Sequence, residues 1–488
     1  MTSEQSAPLW ANFIWEAKYR SVRRIIFLRT FSCALAVCLL ILCNTGKSLE
    51  GLEIHPLLIK NRLDSDDVGM VILQDSKELF SLNTSRKFKP ASLSKIITGA
   101  AVLELLGPRF QFKTQLLFDG SIVDNTVRGS LYLLGGGDPS FHSAGLSVLL
   151  TGLKKQKIKK IEGDLIIDDS RFRDVVSPYW QSQIDMINPD LFPLFLRFDP
   201  PSNLAPFSPD WQKAERLHTK AVDLEGRFVV YQNMIQPNLW TGYQFQQLMQ
   251  KAGIHLAGKV VRGKVSRSSK VLAEISNPLT KVVSQMMKSS NNFYADMLVR
   301  NISVAFGESP GNFGTGIDFV TFYLDHVKVP RSDYSLNSGS GFSHQNMITP
   351  RALAKLLNHL KDERTVSPYF FSSLPVAGVD GTLAGRMRKT GAQGRVHAKT
   401  GYLRPVSTGA FHLDGAVGLA GFGARRDGKN LLFVFLYNGF RPPDVVRSTF
   451  DKICVDLIGP VAVKQTKKKV ALKKKVKAKT QKRKAKKS

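Results

Sequence analysis

The sequence predicts an α+β fold (an α/β sandwich), in which an antiparallel sheet is flanked by helices. Three observations carry this prediction. Residues 89–108 are compatible with one helix that is apolar on nearly all sides. Strand-like runs separated by polar or glycine-containing turns fill residues 396–439, and a helical segment follows at 442–459. A helix without a polar stripe must be buried, and short consecutive strands of this kind form an antiparallel meander.

Length and composition point to two or more globular domains. The chain has 488 residues, of which 43% are hydrophobic and 22% are charged, so it can form more than one buried core. Three of the four cysteines, Cys33, Cys38 and Cys43, lie in one N-terminal apolar run. If that run is removed, Cys454 has no partner within the chain, and packing alone must stabilise the fold.

The N-terminal residues 1–48 are predicted to lie outside the fold. A basic region precedes an apolar run at 30–43, and small residues follow, which is typical of a secretory signal peptide. An uncleaved membrane anchor is the alternative, although the run is short for a membrane span. A lipid-modified Cys43 is disfavoured because Leu42 precedes it. In each case we expect a periplasmic or other extracytoplasmic location.

Nearly half of the net charge of +30 lies at the C-terminus, where 13 Lys and one Arg lie between Lys464 and Lys487 without any acidic residue. A segment this basic and without apolar periodicity is expected to be disordered, so we assign residues 461–488 to a tail. Such tails bind polyanions. Export favours anionic envelope polymers or a membrane surface over nucleic acid, and a tail without a partner stays an alternative.

The helix predicted at 89–108 begins with Ser92 and Lys95. Positions three apart on a helix share a face, so the lysine amine can reach the serine hydroxyl. A desolvated lysine loses affinity for its proton and can then activate a serine as a base. The N-terminal end of the helix also presents N–H groups to a developing oxyanion. An N-cap serine followed by a solvated lysine is the alternative.

A second polar group lies between two apolar helical faces in residues 281–301. Ser290 and Asn292 occupy the position of a turn or a helix cap. A hydroxyl and an amide held on a rigid turn can relay a proton and bind a substrate amide. An ordinary cap is the alternative.

The tripeptide Lys-Thr-Gly occurs twice, and the two copies differ in their surroundings. The copy at 389–391 has arginines nearby and a glycine after it, which predicts a solvated turn. The copy at 399–401 lies in the strand-like run 396–403. There Lys399 would be a fixed receptor for a carboxylate, and Gly401 would let a substrate backbone approach closely.

In this order, Ser-x-x-Lys, Ser-x-Asn and Lys-Thr-Gly form the signature of penicillin-recognising serine enzymes. Four further segments resemble one family of these enzymes: LLGGGDPSF (133–141), GDLIIDDSRF (163–172), NSGSGFSHQNMITP (337–350) and LPVAGVDGTLAGRM (374–387). Over roughly residues 50–460, the chain resembles the D-alanyl-D-alanine carboxypeptidase/endopeptidase family of the penicillin-binding protein 4 type (class C, peptidase family S13).

This resemblance implies the fold of penicillin-binding proteins and β-lactamases, with a transpeptidase domain. It implies a D-Ala-D-Ala carboxypeptidase, a D-Ala–diaminopimelate endopeptidase or both, acting on peptidoglycan stem peptides and cross-links through an acyl-enzyme on Ser92. β-Lactams would be covalent inhibitors. The family's motifs match here at the catalytic residues Ser92, Lys95, Ser290 and Asn292 and the substrate-binding residues Lys399, Thr400, Gly401 and Tyr402. Lys95 would be the base, and the backbone N–H groups of Ser92 and Tyr402 would form the oxyanion hole.

The spacing of the motifs fits an inserted domain. About 160 residues separate the first helix from the second motif, which is enough for a domain. We predict an insert at 112–275 within a peptidase domain split into 49–111 and 276–460. In the family this region helps shape the pocket for the diaminopimelate side chain, so Asp168 would meet its amino group. A turn-capping aspartate is the alternative.

Two other functions stay open from the sequence. A β-lactamase would share the acylation of Ser92 but release the acyl group quickly. A peptidoglycan-binding protein would have kept the fold and lost turnover, against which the intact motifs argue. No cofactor and no metal is expected. The nine histidines are scattered and no His-Glu-x-x-His or Cys-x-x-Cys occurs, which argues against a zinc hydrolase, while a zinc site built from ligands distant in sequence stays open.

Overall fold

A computed structural model of the chain describes residues 54–172, 218–222, 228–232, 237–408 and 411–459. The signal peptide or anchor predicted at 1–48 and the tail predicted at 461–488 lie outside these residues. Across the described ranges, no helix is both long and apolar enough to cross a membrane.

The elements are numbered in chain order. The helices are α1 (Ile54–Lys60), α2 (Ser94–Leu105), α3 (Ser143–Lys155), α4 (Pro237–Lys251), α5 (Leu279–Ser289), α6 (Asn292–Ala305), α7 (Phe313–His326), α8 (Pro350–Asp362), α9 (Ser367–Ser373) and α10 (Pro443–Ile458). The strands are β1 (Val68–Gln74), β2 (Lys77–Leu82), β3 (Gln111–Phe118), β4 (Ser121–Val123), β5 (Thr126–Arg128), β6 (Leu131–Leu134), β7 (Lys160–Ile161), β8 (Leu165–Asp168), β9 (His218–Val222), β10 (Phe228–Gln232), β11 (His255–Leu256), β12 (Val260–Arg262), β13 (Lys270–Pro278), β14 (Tyr334–Ser335), β15 (Met347–Ile348), β16 (Val396–Leu403), β17 (Val406–Thr408), β18 (Phe411–Leu413), β19 (Gly415–Ala424) and β20 (Asn430–Gly439).

The main sheet has five antiparallel strands in the order β16–β19–β20–β1–β2. Strand β1, from the start of the described chain, pairs with β20 near its end, with Met70 opposite Phe435. The sheet therefore joins the two halves of the chain. Strand β16 lies at one edge of the sheet. The outer side of its first half bonds to residues 375–377, where the Ala398 N–H donates to the Pro375 carbonyl oxygen at 2.9 Å and the Ala377 N–H donates to the Val396 carbonyl oxygen at 2.9 Å.

Helices cover both faces of this sheet. The apolar run of β20 alternates between two cores, because successive strand residues point to opposite faces. Val434 and Leu436 pack into the core that contains α2, α5, α6, α7 and α8. Phe433 and Phe435 pack into the core that contains α1 and α10. This arrangement confirms the predicted α+β class, with an antiparallel sheet between helices.

Residues between α2 and α5 build a second group of sheets. Five strands in the order β12–β8–β6–β3–β13 combine parallel and antiparallel pairs. A four-stranded sheet, β11–β7–β5–β4, lies in the same part of the chain. Helices α3 and α4 share a third core with these strands. The domain boundaries at 112–275, 49–111 and 276–460 stay a prediction.

Most of the predicted elements around the third motif are confirmed, and one is wrong. Strand β16 has the predicted bounds 396–403, and α10 occupies the helical segment predicted at 442–459. The run 407–413 was expected as a strand of the meander. Instead β17 and β18 form a separate hairpin, and β16 pairs directly with β19. The local pattern therefore predicts strand here, and the tertiary structure decides which strand it pairs with.

Candidate active site

Ser92 lies at the head of the buried helix, where the sequence places it. A 3₁₀ turn, Ala91–Leu93, leads directly into α2. Ser92 is half-buried, whereas Lys95, one turn further on, is completely buried. The Lys95 Nζ lies 2.8 Å from the Ser92 Oγ, within hydrogen-bonding distance. The predicted contact of the hydroxyl and the amine is thus present in the folded chain.

Two further oxygen atoms hold the Lys95 amine. Its Nζ donates to the Asn292 Oδ1 at 2.6 Å and to the Ser340 carbonyl oxygen at 2.8 Å. Burial lowers the pKa of Lys95 from 10.5 to about 7, although the negative charge of Asp296 acts in the opposite direction. The amine can therefore lose its proton near neutral pH, as a general base must.

The turn between α5 and α6 directs two side chains into the site. Ser290 ends α5 with a left-handed backbone conformation (φ 57°), and the Asn291 side chain caps α6 by accepting from the Tyr294 N–H at 3.1 Å. This sharp reversal lets Ser290 and Asn292 contact different lysines. Asn292 binds Lys95, and the Ser290 Oγ accepts from the Lys399 Nζ at 2.8 Å.

Lys399 is completely buried on the edge strand β16. Its Nζ also donates to the Thr400 carbonyl oxygen at 2.8 Å. Burial and the nearby positive charge of Lys95 hold the pKa of Lys399 well below its usual value. Within the described part of the chain, both hydrogen-bond acceptors of this ammonium are uncharged oxygens, so an anion bound here would supply the missing countercharge.

The remaining residues of the third motif have local contacts of their own. The Thr400 Oγ1 donates to the Thr382 Oγ1 at 2.8 Å. Tyr402 is 38% exposed, and the Arg447 guanidinium lies over its ring. At Gly401, an added Cβ would stand 2.7 Å from the carbonyl oxygen of Pro90. The absence of a side chain therefore lets β16 pack closely against the segment that carries Ser92.

Sequence reasoning missed the loop that closes the site from another side. Residues 337–342 wrap around the head of α2, where the Ser340 carbonyl accepts from Lys95 and the Gly339 carbonyl accepts from the Thr98 Oγ1 at 2.7 Å. The buried Asp296 on α6 binds the same loop. The segment NSGSGF resembles the family sequence, but no chemical pattern in it predicts a contact with Lys95.

Asp168 lies at the end of β8 and is nearly buried. Its Oδ1 accepts from the Ser170 N–H at 2.9 Å, and its Oδ2 accepts from the Val265 N–H at 2.7 Å. These contacts are those of the turn-capping alternative. A contact of Asp168 with a substrate amino group stays a prediction.

The first Lys-Thr-Gly copy lies in a turn, as predicted. Lys389 is exposed with a left-handed backbone (φ 58°), and the Thr390 Oγ1 donates to the Met387 carbonyl oxygen at 2.7 Å. Within the described ranges, no group of three or more His, Cys, Asp and Glu side chains is arranged to hold a metal ion.

Comparison with known proteins shows which enzyme family the chain belongs to. The model of the D-Ala-D-Ala carboxypeptidase 3 (S13) family matches residues 52–193 and 222–455. The chain belongs to this family. The family consists of serine peptidases, so the S13 assignment makes the protein a hydrolase and confirms the resemblance seen in its motifs.

Individual S13 relatives align over most of their length. The D-alanyl-D-alanine carboxypeptidase DacB of Haemophilus influenzae is 27% identical over 437 residues, covering 79% of this chain and 88% of the relative. A D-alanyl-D-alanine carboxypeptidase of Actinomadura is also 27% identical, covering 77% of this chain and 80% of the relative.

The same fold is present in solved structures. The crystal structure of penicillin-binding protein 4 from Haemophilus influenzae superimposes with a TM-score of 0.65 at 26% identity, covering 83% of this chain and 98% of that one. A predatory peptidoglycan endopeptidase of Bdellovibrio bacteriovorus superimposes with a TM-score of 0.51 at 18% identity, a likeness that shows the fold alone. The chain therefore has the penicillin-binding protein fold.

Proposed function

We propose that this S13 protein cleaves peptidoglycan stem peptides, as a D-Ala-D-Ala carboxypeptidase, an endopeptidase or both, through an acyl-enzyme on Ser92. The observation that carries the proposal is the 2.8 Å contact of the Ser92 hydroxyl with the completely buried Lys95 amine. A buried lysine with a pKa of about 7 is suited to take the proton of a serine that attacks a peptide carbonyl.

Acylation begins with the neutral form of Lys95. The Lys95 Nζ takes the Ser92 hydroxyl proton while the Oγ forms a bond to the carbonyl carbon of the penultimate D-Ala. The backbone N–H groups of Ser92 and Tyr402 donate to the resulting oxyanion. The C–N bond then breaks, and the leaving amine receives the proton taken up by Lys95, which Ser290 relays, so that Lys95 is neutral again. Water, deprotonated in turn by Lys95, later releases the acyl group.

Lys399 favours a substrate with a terminal carboxylate. Its buried amine has uncharged acceptors in Ser290 and Thr400, so a bound carboxylate would favour the protonated form and accept a charge-assisted hydrogen bond from it. Strand β16 is at the edge of its sheet, and the segment 375–377 bonds only to its first half, so an extended peptide can pair with the edge from Lys399 onwards. Together these features favour a peptide that lies along β16 with its C-terminus at Lys399.

β-Lactams are proposed as covalent inhibitors of the same serine. Their ring contains a strained amide next to a carboxylate, which matches the nucleophile and the Lys399 receptor. The penicillin-binding protein 4 of Haemophilus influenzae, 26% identical to this chain, has been crystallised in complex with a β-lactam.

The test is the intact mass of the purified protein, residues 49–488, with and without benzylpenicillin. We expect a stable gain of one penicillin on the peptide that contains Ser92, followed by digestion of cross-linked muropeptides. Ser92→Ala should keep the fold and lose the adduct. Labelling that persists in Ser92→Ala would refute the assignment of the nucleophile, and rapid consumption of penicillin without an adduct would indicate a β-lactamase.

Export and surface binding are proposed from the two ends of the chain. The signal-like residues 1–48 support an extracytoplasmic location, where peptidoglycan is accessible. The lysine-rich residues 461–488 support binding to anionic envelope polymers or membrane surfaces.

Truncation after residue 462 tests the tail. It should leave hydrolysis of small soluble peptides unchanged and weaken adsorption to anionic envelope material. The adsorption is measured at low salt, because salt screens the attraction between exposed charges. Adsorption that is equal with and without the tail would exclude this role.

A further inference from the structure

Asp296 is a buried carboxylate beside the site that takes no part in the bond-making steps. It lies on α6 four residues after Asn292, so the two side chains share one face of the helix. The residue is only 3% exposed. Burying a carboxylate is costly, and buried charges are retained where specific partners hold them.

The Asp296 carboxylate binds both donors of a single residue, Ser340. The Asp296 Oδ1 accepts from the Ser340 N–H at 3.0 Å, and the Oδ2 accepts from the Ser340 hydroxyl at 3.2 Å. Ser340 is itself only 1% exposed. The backbone of Ser340, including its carbonyl group, is therefore fixed relative to α6.

That carbonyl is one of the acceptors that hold the base. The Lys95 Nζ donates to the Ser340 oxygen at 2.8 Å and to the Asn292 Oδ1 at 2.6 Å. Helix α6 thus sets both contacts, one directly through Asn292 and the other through Asp296 and Ser340. The third contact of the amine is the Ser92 hydroxyl that it must deprotonate.

The charge of Asp296 acts on the same amine. The charged groups around the Lys95 amine in the described part of the chain include Asp296 from α6, whose charge acts on the pKa of Lys95, and Lys399 from β16, whose own pKa the Lys95 charge lowers. The turn 91–93 and the loop 337–342 contain no charged residue. A negative charge near an amine favours its protonated form, so Asp296 opposes the effect of burial on Lys95.

On the basis of the proposed function, we infer that Asp296 is a positioning residue for acylation. Its carboxylate holds Ser340, and through the Ser340 carbonyl it keeps the Lys95 amine directed at the Ser92 hydroxyl. The bonds made and broken in the reaction are unchanged by this role. Asp296 determines where the proton acceptor stands and how its protonation responds to pH.

The main test is Asp296→Asn, which keeps the shape of the side chain and removes its charge. The second-order rate constant of acylation by benzylpenicillin would be measured from pH 5 to pH 9. We expect the rate at pH 8 to fall by about 100-fold, because a misplaced base is a poor one. On the acid side of the pH profile the acylation rate falls as the pH is lowered; this part of the profile is the acid limb. Its midpoint should move down by at least about one pH unit, because loss of an adjacent negative charge lowers the pKa of an amine.

Three further variants separate charge from structure. Asp296→Glu restores the charge, and its acid limb should return towards that of the wild type. Thr98→Val removes the uncharged contact with the same loop, so it should slow acylation without moving the limb. Asp325→Asn removes a partly exposed carboxylate at the end of α7 and should change neither quantity. If the acid limb of Thr98→Val shifts as far as that of Asp296→Asn, the proposed role of the Asp296 carboxylate is wrong.

The outcomes are distinct from those of the proposed function. If wild-type Ser92 is not acylated, the proposed function fails and this inference fails with it. If the wild type is acylated and Asp296→Asn keeps both rate and limb, the inference alone is wrong.

If Asp296→Asn does not fold, as shown by its thermal melt, Ser340→Ala decides. That variant keeps the charge and the backbone contact and loses the hydroxyl contact. We expect a several-fold slower acylation with an unmoved limb, and an unchanged rate would overturn the inference.

Discussion

Acylation of Ser92 should require the neutral form of Lys95, so lowering the pH should slow it. Burial is the main cause of the low pKa of this lysine, and the nearby Asp296 carboxylate only partly offsets it. Below that pKa, each pH unit removes about nine-tenths of the remaining neutral amine. The acylation rate should therefore fall tenfold for each pH unit on the acid side, and it should be constant above pH 8.

The magnitude follows from the shift of the pKa of Lys95 from 10.5 to about 7. At pH 7 about half of the molecules carry the neutral amine, and at pH 5 roughly 1% do. A lysine with an ordinary pKa would be neutral in only about 0.03% of molecules at pH 7. Desolvation at the head of α2 thus increases the reactive fraction on the order of 10³-fold.

The assay is the rate of labelling by a fluorescent penicillin between pH 5 and pH 9, with the adduct located on Ser92 by mass spectrometry. Lys95→Arg is the matched control, because arginine keeps the positive charge and does not lose its proton in this range. That variant should lose labelling at every pH. A flat profile in the wild type, or a limb centred above pH 9, would refute Lys95 as the base.

Two further predictions concern packing and stability. Gly401→Ala should lower the free energy of unfolding by about 1–3 kcal/mol and slow penicillin labelling, because the new Cβ would stand 2.7 Å from the Pro90 carbonyl oxygen. Denaturant unfolding and the labelling rate measure the two effects. Values that both match the wild type would contradict this prediction. The His359 Nε2 lies 2.9 Å from the buried Glu104 carboxylate, which raises the pKa of His359 above 6.5. The stabilisation by this pair should be complete below pH 6.5 and lost as the pH rises through the raised pKa, so His359→Gln should be less stable than the wild type at pH 6 and should approach it at high pH. A stability difference that does not change with pH would exclude this pair as its source.

Local patterns predicted the elements that depend on neighbouring residues. Ser92 and Lys95 are one helical turn apart, so their contact follows from the periodicity of a single helix. The bounds of β16 follow from a strand pattern interrupted by turn residues on both sides. The turn at Ser290 follows from polar residues between two apolar helical faces.

Other features depend on residues far apart in the chain, and local patterns do not reveal them. The run 407–413 has the composition of a strand, but β19 occupies the position beside β16 instead. Asp296 and Ser340 are 44 residues apart, and neither belongs to one of the three catalytic motifs. Their contact depends on how the loop 337–342 folds over α2.

The sequence by itself determined which groups are available to this protein: a serine, a lysine one turn later, a polar turn and a second lysine, in the order of one enzyme family. We propose the serine as nucleophile, the first lysine as base and the second lysine as carboxylate receptor. The tertiary structure decided how reactive those groups are. Lys95 and Lys399 are on elements far apart in the chain, yet both are completely buried at one site. Desolvation lowers the pKa values of both lysines, and the charge of Lys95 lowers the pKa of Lys399 further; both effects arise only when the surrounding helices and sheet have packed.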